Sequence, residues 1–145
     1  MKPSLTLLVE DNPDDEFLTV RAFRKSNVSS ELVVVRDGCE ALEYLFGEGR
    51  YAERDSSNQP ALILLDLKLP KLDGIEVLRR VRGEACTRFI PVVILTTSRE
   101  NRDVLAGYHG GANSYICKPV NFEEFVRAVG EILSYWLVLN EPMPV

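Results

Sequence analysis

Six polar side chains in this 145-residue chain stand directly after short, largely apolar runs. Glu10 and Asp11 follow residues 5–9, Asp66 follows 61–65, Thr96 and Thr97 follow 92–95, and Lys118 follows 114–117. If those runs are strands of one parallel sheet, their carboxyl ends bring the six groups to one edge. Three carboxylates gathered there repel one another, and uncompensated, one of them would keep its proton. A hard divalent cation removes the conflict, and oxygen-only ligands favour Mg²⁺ over zinc. With such an ion, the formal charges of Glu10, Asp11, Asp66 and Lys118 cancel. A carboxylate in that position can act as a nucleophile and take a phosphoryl group as an aspartyl phosphate. The cation and Lys118 would stabilise charge on the transferring oxygens, and the Thr96 hydroxyl could donate to one of them.

The elements that must position these groups alternate in type. Strand-length apolar runs lie at residues 5–9, 32–35, 61–65, 92–95 and 114–117. Between them lie helical patterns at 12–27, 38–46, 75–82 and 101–110, and a long amphipathic one closes the series at 121–139. Asn12 can cap the first helix and Pro13 suits its first turn. Asp14, Asp15 and Glu16 then favour the positive end of its dipole and read as solvated charge. Phe17, Val20 and Phe23 share one broad face of it. Residues 47–60 are polar and read as a long surface loop. Continuous apolar strands imply a parallel sheet covered on both faces. With right-handed crossovers the pattern gives an α/β doubly wound domain, five strands and five helices in the flavodoxin-like order 2-1-3-4-5. The ligand site of such a sheet lies where strands 1 and 3 diverge.

Bulk properties narrow the function classes. The net charge of −5 disfavours nucleic acid, whose binding rests on Lys and Arg neutralising phosphates. No stretch approaches the roughly 18 apolar residues of a membrane span, and no cleavage-site pattern marks a signal peptide. Cys39, Cys86 and Cys117 are odd in number and widely spaced, which reads as three reduced thiols in a cytoplasmic protein. His109 is the only histidine and argues against a histidine-based triad.

The set Leu8-Val9-Glu10-Asp11-Asn12, Leu64-Leu65-Asp66-Leu67-Lys68-Leu69-Pro70, Asp73-Gly74, Leu95-Thr96 and Lys118-Pro119 resembles the receiver domain of two-component response regulators through about residue 135. That resemblance implies Asp66 as phosphoacceptor and Mg²⁺ held by Glu10, Asp11, Asp66 and the backbone carbonyl of Lys68. It implies that Thr96 senses the phosphoryl group, that Lys118 contacts it, and that Tyr115 is an aromatic switch residue; a merely packed tyrosine is the alternative. It also implies a cis Lys118–Pro119 bond. Glu10 departs from the pattern where Asp is frequent. Thr97 stands where Ala is common, at the phosphoryl entry, and Lys68 places a basic side chain beside the acceptor. A phosphohydrolase with an aspartyl nucleophile is one alternative, although Lys68 occupies the position where such enzymes place a second Asp. A receiver-like binding module without phosphorylation is another.

A narrower resemblance rests on the loop before the third strand, the run Leu95-Thr96-Thr97-Ser98, and the ending Tyr135-Trp136-Leu137 followed by Pro142. These features are similar to stand-alone regulators of bacterial phytochrome kinases, and imply a red/far-red sensor histidine kinase as partner. Residues 1–139 then form a receiver with an extended last helix and 140–145 a short tail, with no output domain. Such a protein acts by docking to a downstream target or by relaying its phosphoryl group to a phosphotransfer protein. The apolar stripe of the last helix outruns the sheet, so Trp136 and Leu137 are expected to stand exposed and form a homodimer contact. The alternative is that residues 140–145 fold back over Trp136.

Overall fold

A computed structural model describes residues 4–144. Strands β1 (Ser4–Val9), β2 (Ser30–Val35), β3 (Leu62–Leu65), β4 (Val92–Thr96) and β5 (Ser114–Cys117) alternate with helices α1 (Pro13–Lys25), α2 (Gly38–Phe46), α3 (Gly74–Gly83), α4 (Asn101–His109) and α5 (Phe122–Ser134). All pairings are parallel and the order is β2-β1-β3-β4-β5, as the alternation of elements predicts. One turn of 3₁₀-helix, Gly49–Tyr51, interrupts the polar loop before β3.

Period-two alternation splits the sheet into two cores. Leu5, Leu7, Val9, Ile63, Leu65 and Ile94 face Leu45 of α2 and Val77, Leu78 and Val81 of α3. Leu8, Leu62, Leu64, Val93 and Leu95 face Ala22 and Phe23 of α1 and Phe125, Val129 and Leu133 of α5. The register decides what meets at the carboxyl edge. Val9 is opposite Leu65, so one step further sets Glu10 beside Asp66. Thr96 is opposite Cys117, one step before Lys118.

Caps fix where the helices begin. The Asn12 side chain accepts from Asp14 and Asp15 N–H, Asp37 from Glu40 N–H, and Asp73 from Glu76 N–H, which satisfies otherwise orphaned first-turn donors. Gly74 does more than open α3. Its N–H donates to Leu67 carbonyl at 2.9 Å, and a Cβ there would overlap the Asp66 carbonyl oxygen and lie 2.7 Å from Leu67 Cα. The segment after Asp66 therefore folds flush against the start of α3.

The chain's end differs from expectation. α5 stops at Ser134, and Tyr135–Leu139 form a wider π-helical turn closed by Asn140 N–H on Tyr135 carbonyl at 2.7 Å. Trp136 and Leu137 do not project free; both are half-buried against the α1–α5 core. The stripe persists because the same core continues beneath it. The exposed side chains of this turn are Tyr135, Val138 (65%) and Leu139 (73%). The tail continues to the amino edge of the sheet, where Pro142, Met143 and Pro144 line a cavity of about 610 Å³ with residues such as Pro60 and Phe89.

Two glycine substitutions test the close approach at Gly74. Gly74→Ala is expected to destabilise by about 1–3 kcal/mol, the scale of overpacking against backbone that cannot retreat. Gly130→Ala, in α5 where an added methyl would meet nothing within 4 Å, is expected to stabilise by about 0.5–1 kcal/mol. Urea unfolding midpoints measure both, and an unchanged midpoint for Gly74→Ala would refute the steric argument.

Candidate functional site

Parity along the strands explains which groups converge. Glu10 continues the series Thr6, Leu8; Asp66 continues Leu62, Leu64; Lys118 continues Ile116, and all three series face the α1–α5 layer. The Lys118 ammonium has three N–H donors and uses them on three carboxylates. It lies 2.5 Å from Glu10 Oε1, 2.9 Å from Asp15 Oδ2 and 3.1 Å from Asp66 Oδ2. Glu10 (1%), Asp66 (9%) and Lys118 (7%) are almost wholly shielded from solvent. The other Asp66 oxygen, Oδ1, accepts from Leu67 N–H at 2.7 Å and faces Lys68 N–H at 3.4 Å. The backbone on either side is locked: Asp66 N–H donates to Val9 carbonyl, Glu10 N–H to Val35 carbonyl, and Lys118 N–H to Thr96 carbonyl.

The electrostatics are unbalanced. Burial, with the Asp66 charge beside it, pushes the Glu10 carboxyl up to about 7 against the pull of Lys118. Burial also works to pull the Lys118 ammonium down, but its hydrogen bond to Glu10, the charge of Asp66 and its hydrogen bond to Asp15 outweigh it, and its pKa rises. Lys118 is thus firmly charged, while one ammonium falls short of satisfying three carboxylates.

Among the described residues, the acids whose oxygens close to within 4.8 Å of one another are Glu10, Asp15 and Asp66. Asp11 is exposed and stands outside that set. Adjacent residues leaving a strand point to opposite sides, so Glu10 turns in while Asp11 stays at the rim. Asp15 takes the inner place from the first turn of α1. The run Asp14-Asp15-Glu16 is therefore not uniformly solvated charge: Asp15 reaches Lys118, and Glu16 forms a two-pronged pair with Arg36. The signal that could have found Asp15 is its place three residues past the Asn12 cap, on the turn that follows Glu10.

Thr96 is fully buried at the end of β4, with its hydroxyl oxygen 3.5 Å from Ser98 N–H, and Thr97 is exposed. Tyr115 packs against the α2–α3 core and donates its hydroxyl to Ser98 carbonyl at 3.0 Å. The expected cis bond is corrected: no peptide bond among the described residues is cis, so Lys118–Pro119 is trans. An X–Pro bond favours trans by only about 0.5–1 kcal/mol, so the surrounding backbone decides. Here it runs from the β4–β5 ladder through exposed Val120 to the Asn121 cap of α5.

In the metal-free protein the Glu10 shift has a signed consequence. Its folded pKa of about 7 exceeds the ordinary 4.5, so the folded chain binds a proton in that window that the unfolded chain does not. The stability it contributes is fully present below the unfolded value and is lost as pH rises through about 7. Urea midpoints from roughly pH 5 to pH 8 should fall in the wild type relative to Glu10→Gln. Parallel profiles would show that Glu10 is not the titrating group.

Residues 6–130 match the family described as the response regulator receiver domain. The chain is 43% identical over 138 residues to the probable methanogenesis regulatory protein FilR2 of Methanothrix harundinacea (strain 6Ac), covering 95% of this chain and 86% of that protein. It is similar in structure to the phosphorylated cyanobacterial phytochrome response regulator RcpA, with a TM-score of 0.90, 40% identity, and 99% and 100% of the two chains covered. It is also similar to the Mn²⁺-bound form of response regulator Rcp1, with a TM-score of 0.88, 38% identity, and 98% and 100% covered.

Proposed function

The chain belongs to the response regulator receiver domain family, and on that premise we propose that Asp66 accepts a phosphoryl group from a sensor histidine kinase in a Mg²⁺-dependent phosphorelay. The observation that carries this reading is Asp66 itself: one oxygen held by backbone N–H, the other on a buried ammonium, with two further carboxylates in the same pocket. Receivers are phosphoacceptor regulators rather than enzymes with a separate substrate. In the transfer, an Asp66 oxygen forms the new P–O bond as the P–N bond to the kinase histidine breaks, and the electron pair leaves with the imidazole nitrogen. Lys118 then meets the phosphoryl oxygens, and Thr96 lies at the adjoining strand end to donate to one of them. The chain thereby assists both its own phosphorylation and the later attack of water.

The donor set fits a hard divalent cation. It is all oxygen, with three carboxylates set against the single charge of Lys118. Glu10, Asp11, Asp66 and the backbone carbonyl of Lys68 would hold Mg²⁺, with Asp15 a further carboxylate of the same cluster. When bound, the ion supplies charge stabilisation for the transferring oxygens. The existence of a Mn²⁺-bound form of Rcp1 supports a divalent cation as the ligand.

Incubation with acetyl phosphate and Mg²⁺ is expected to add the mass of one phosphoryl group. Chelation of the metal or Asp66→Asn should block it. Equal labelling of Asp66→Asn would show that another residue is the acceptor.

A phytochrome is the proposed input, supported by the likeness to RcpA over nearly all of both chains. The similar identity to a methanogenesis regulator makes the kinase a matter for phosphotransfer profiling. The proposed output runs through Thr96 and Tyr115 to the surface of α4, β5 and α5, toward a downstream target or phosphotransfer protein, in the cytoplasm. No helix among the described residues is long and apolar enough to cross a membrane.

The receiver unit takes in residues 1–139, with the last helix as its extension and the proposed site of a homodimer. Tyr135, Val138 and Leu139 form its exposed apolar patch, backed by half-buried Trp136 and Leu137. A two-fold dimer suits a self-complementary patch of this kind. Sedimentation at rising concentration should show dimer in the wild type and monomer in Val138→Glu. A wild type that stays monomeric at high micromolar concentration would sink the dimer.

A further inference from the structure

Lys68 lies two residues past the acceptor, and its side chain leans to α4. Its Nζ sits 3.4 Å from Oδ2 of Asp103. That same oxygen accepts the Ser98 hydroxyl at 2.5 Å. Ser98 is a hub: its N–H faces the Thr96 hydroxyl oxygen at 3.5 Å, and its carbonyl takes the Tyr115 hydroxyl at 3.0 Å. The Ser98 hydroxyl bond, aided by Lys68, holds the Asp103 carboxyl below its ordinary value. One ion pair thus ties the loop after Asp66 to α4, and Asp103 ties α4 to the loop that positions both Thr96 and Tyr115.

We propose that Lys68 is an exchangeable cation, paired with Asp103 while Asp66 is unmodified and drawn to the phosphoryl group once Asp66 carries one, so that Asp103 and the Ser98 loop are released together. The inference rests on Asp66 being the acceptor and adds a route that does not pass through the Thr96 hydroxyl. Three observations carry it. The Lys68 side chain is 65% exposed, so its pair with Asp103 is weak and easily redistributed. Its backbone N–H already faces Asp66 Oδ1, so the flexible stem starts beside the acceptor. A phosphoryl group brings about −1.5 to −2 charge against the single charge of Asp103. Arg102, next to Asp103 in sequence, is paired with Glu100 at 2.7 Å.

Beryllofluoride with Mg²⁺, an acyl-phosphate mimic, tests the exchange in the full chain. Asp103→Asn removes the charge and keeps an oxygen for the Ser98 hydroxyl. It is expected to bind beryllofluoride about three- to fivefold more tightly than the wild type, the scale of one exposed ion pair. In a Lys68→Met background the same Asp103→Asn change is expected to give no gain, and Lys68→Arg should restore it. The Ser98 amide NMR shift on beryllofluoride binding should shrink in Lys68→Met. An Asp103→Asn affinity equal to wild type would overturn the exchange. So would an equal gain without Lys68, which would mark a general charge effect. A wild type that binds no beryllofluoride would overturn the acceptor reading, and the exchange with it.

Discussion

Lys118 places one buried ammonium among three carboxylates drawn from three elements: Glu10 after β1, Asp15 in α1 and Asp66 after β3. Each ion alone would be costly to desolvate in that position, and removing one member of a buried pair typically costs about 3–5 kcal/mol. The contacts therefore hold one another in place. They also leave three carboxylates facing one ammonium, and burial together with the Asp66 charge lifts Glu10 to about 7. A site held together by a cation and still short of positive charge is prepared for a second cation and, with it, for an incoming phosphoryl group. The ion pairs that anchor Lys118 are also the ones its proposed contact with a phosphoryl group would draw on.

The rest of the fold makes that interaction geometrically cheap. Parallel pairing sends every carboxyl end to one edge, and the order β2-β1-β3-β4-β5 makes β1, β3, β4 and β5 consecutive. The Val9–Leu65 register sets Glu10 and Asp66 level with each other without any further adjustment. The two apolar layers keep the sheet rigid, so the positions of these end groups follow from strand register rather than from loop conformation.

That dependence explains what was legible in the sequence. Groups fixed by strand ends could be read from the sequence: Glu10, Asp66, Thr96 and Lys118 each follow an apolar run, and the sheet order follows from alternation of elements. Groups fixed by turns could not. Asp15 looks like helix-dipole charge until the Asn12 cap orients the first turn of α1 toward Lys118. Asp11 looks equivalent to Glu10 until strand parity separates them. Ser98 and Asp103 pair with each other, but their further partners, Tyr115 on β5 and Lys68 after Asp66, are distant in sequence and leave no local pattern. Trp136 and Leu137 fit an apolar stripe, but counting turns does not reveal that the second core extends beneath a π-helical end. The proline isomer turns on a difference of only about 0.5–1 kcal/mol, so sequence alone gives it little definition.

The segment after Asp66 shows how rigidity and adjustability divide within a few residues. At its centre it is fixed: Leu67 N–H binds Asp66 Oδ1, and Leu67 carbonyl receives Gly74 N–H where no side chain would fit. On its two flanks it is held by ion pairs whose lysines are exposed, Lys71 to Asp37 at 3.5 Å on the α2 side and Lys68 to Asp103 at 3.4 Å on the α4 side. Lys71 adopts a left-handed φ of 66°, a conformation a non-glycine residue takes at a cost of about 1–2 kcal/mol. A tight centre keeps the acceptor carboxylate where the sheet places it. Weak flanks let a change of charge at Asp66 be felt on α2 and α4 without moving Asp66 itself. A receiver needs both properties, since its chemistry requires a fixed carboxylate and its signal requires a surface that responds.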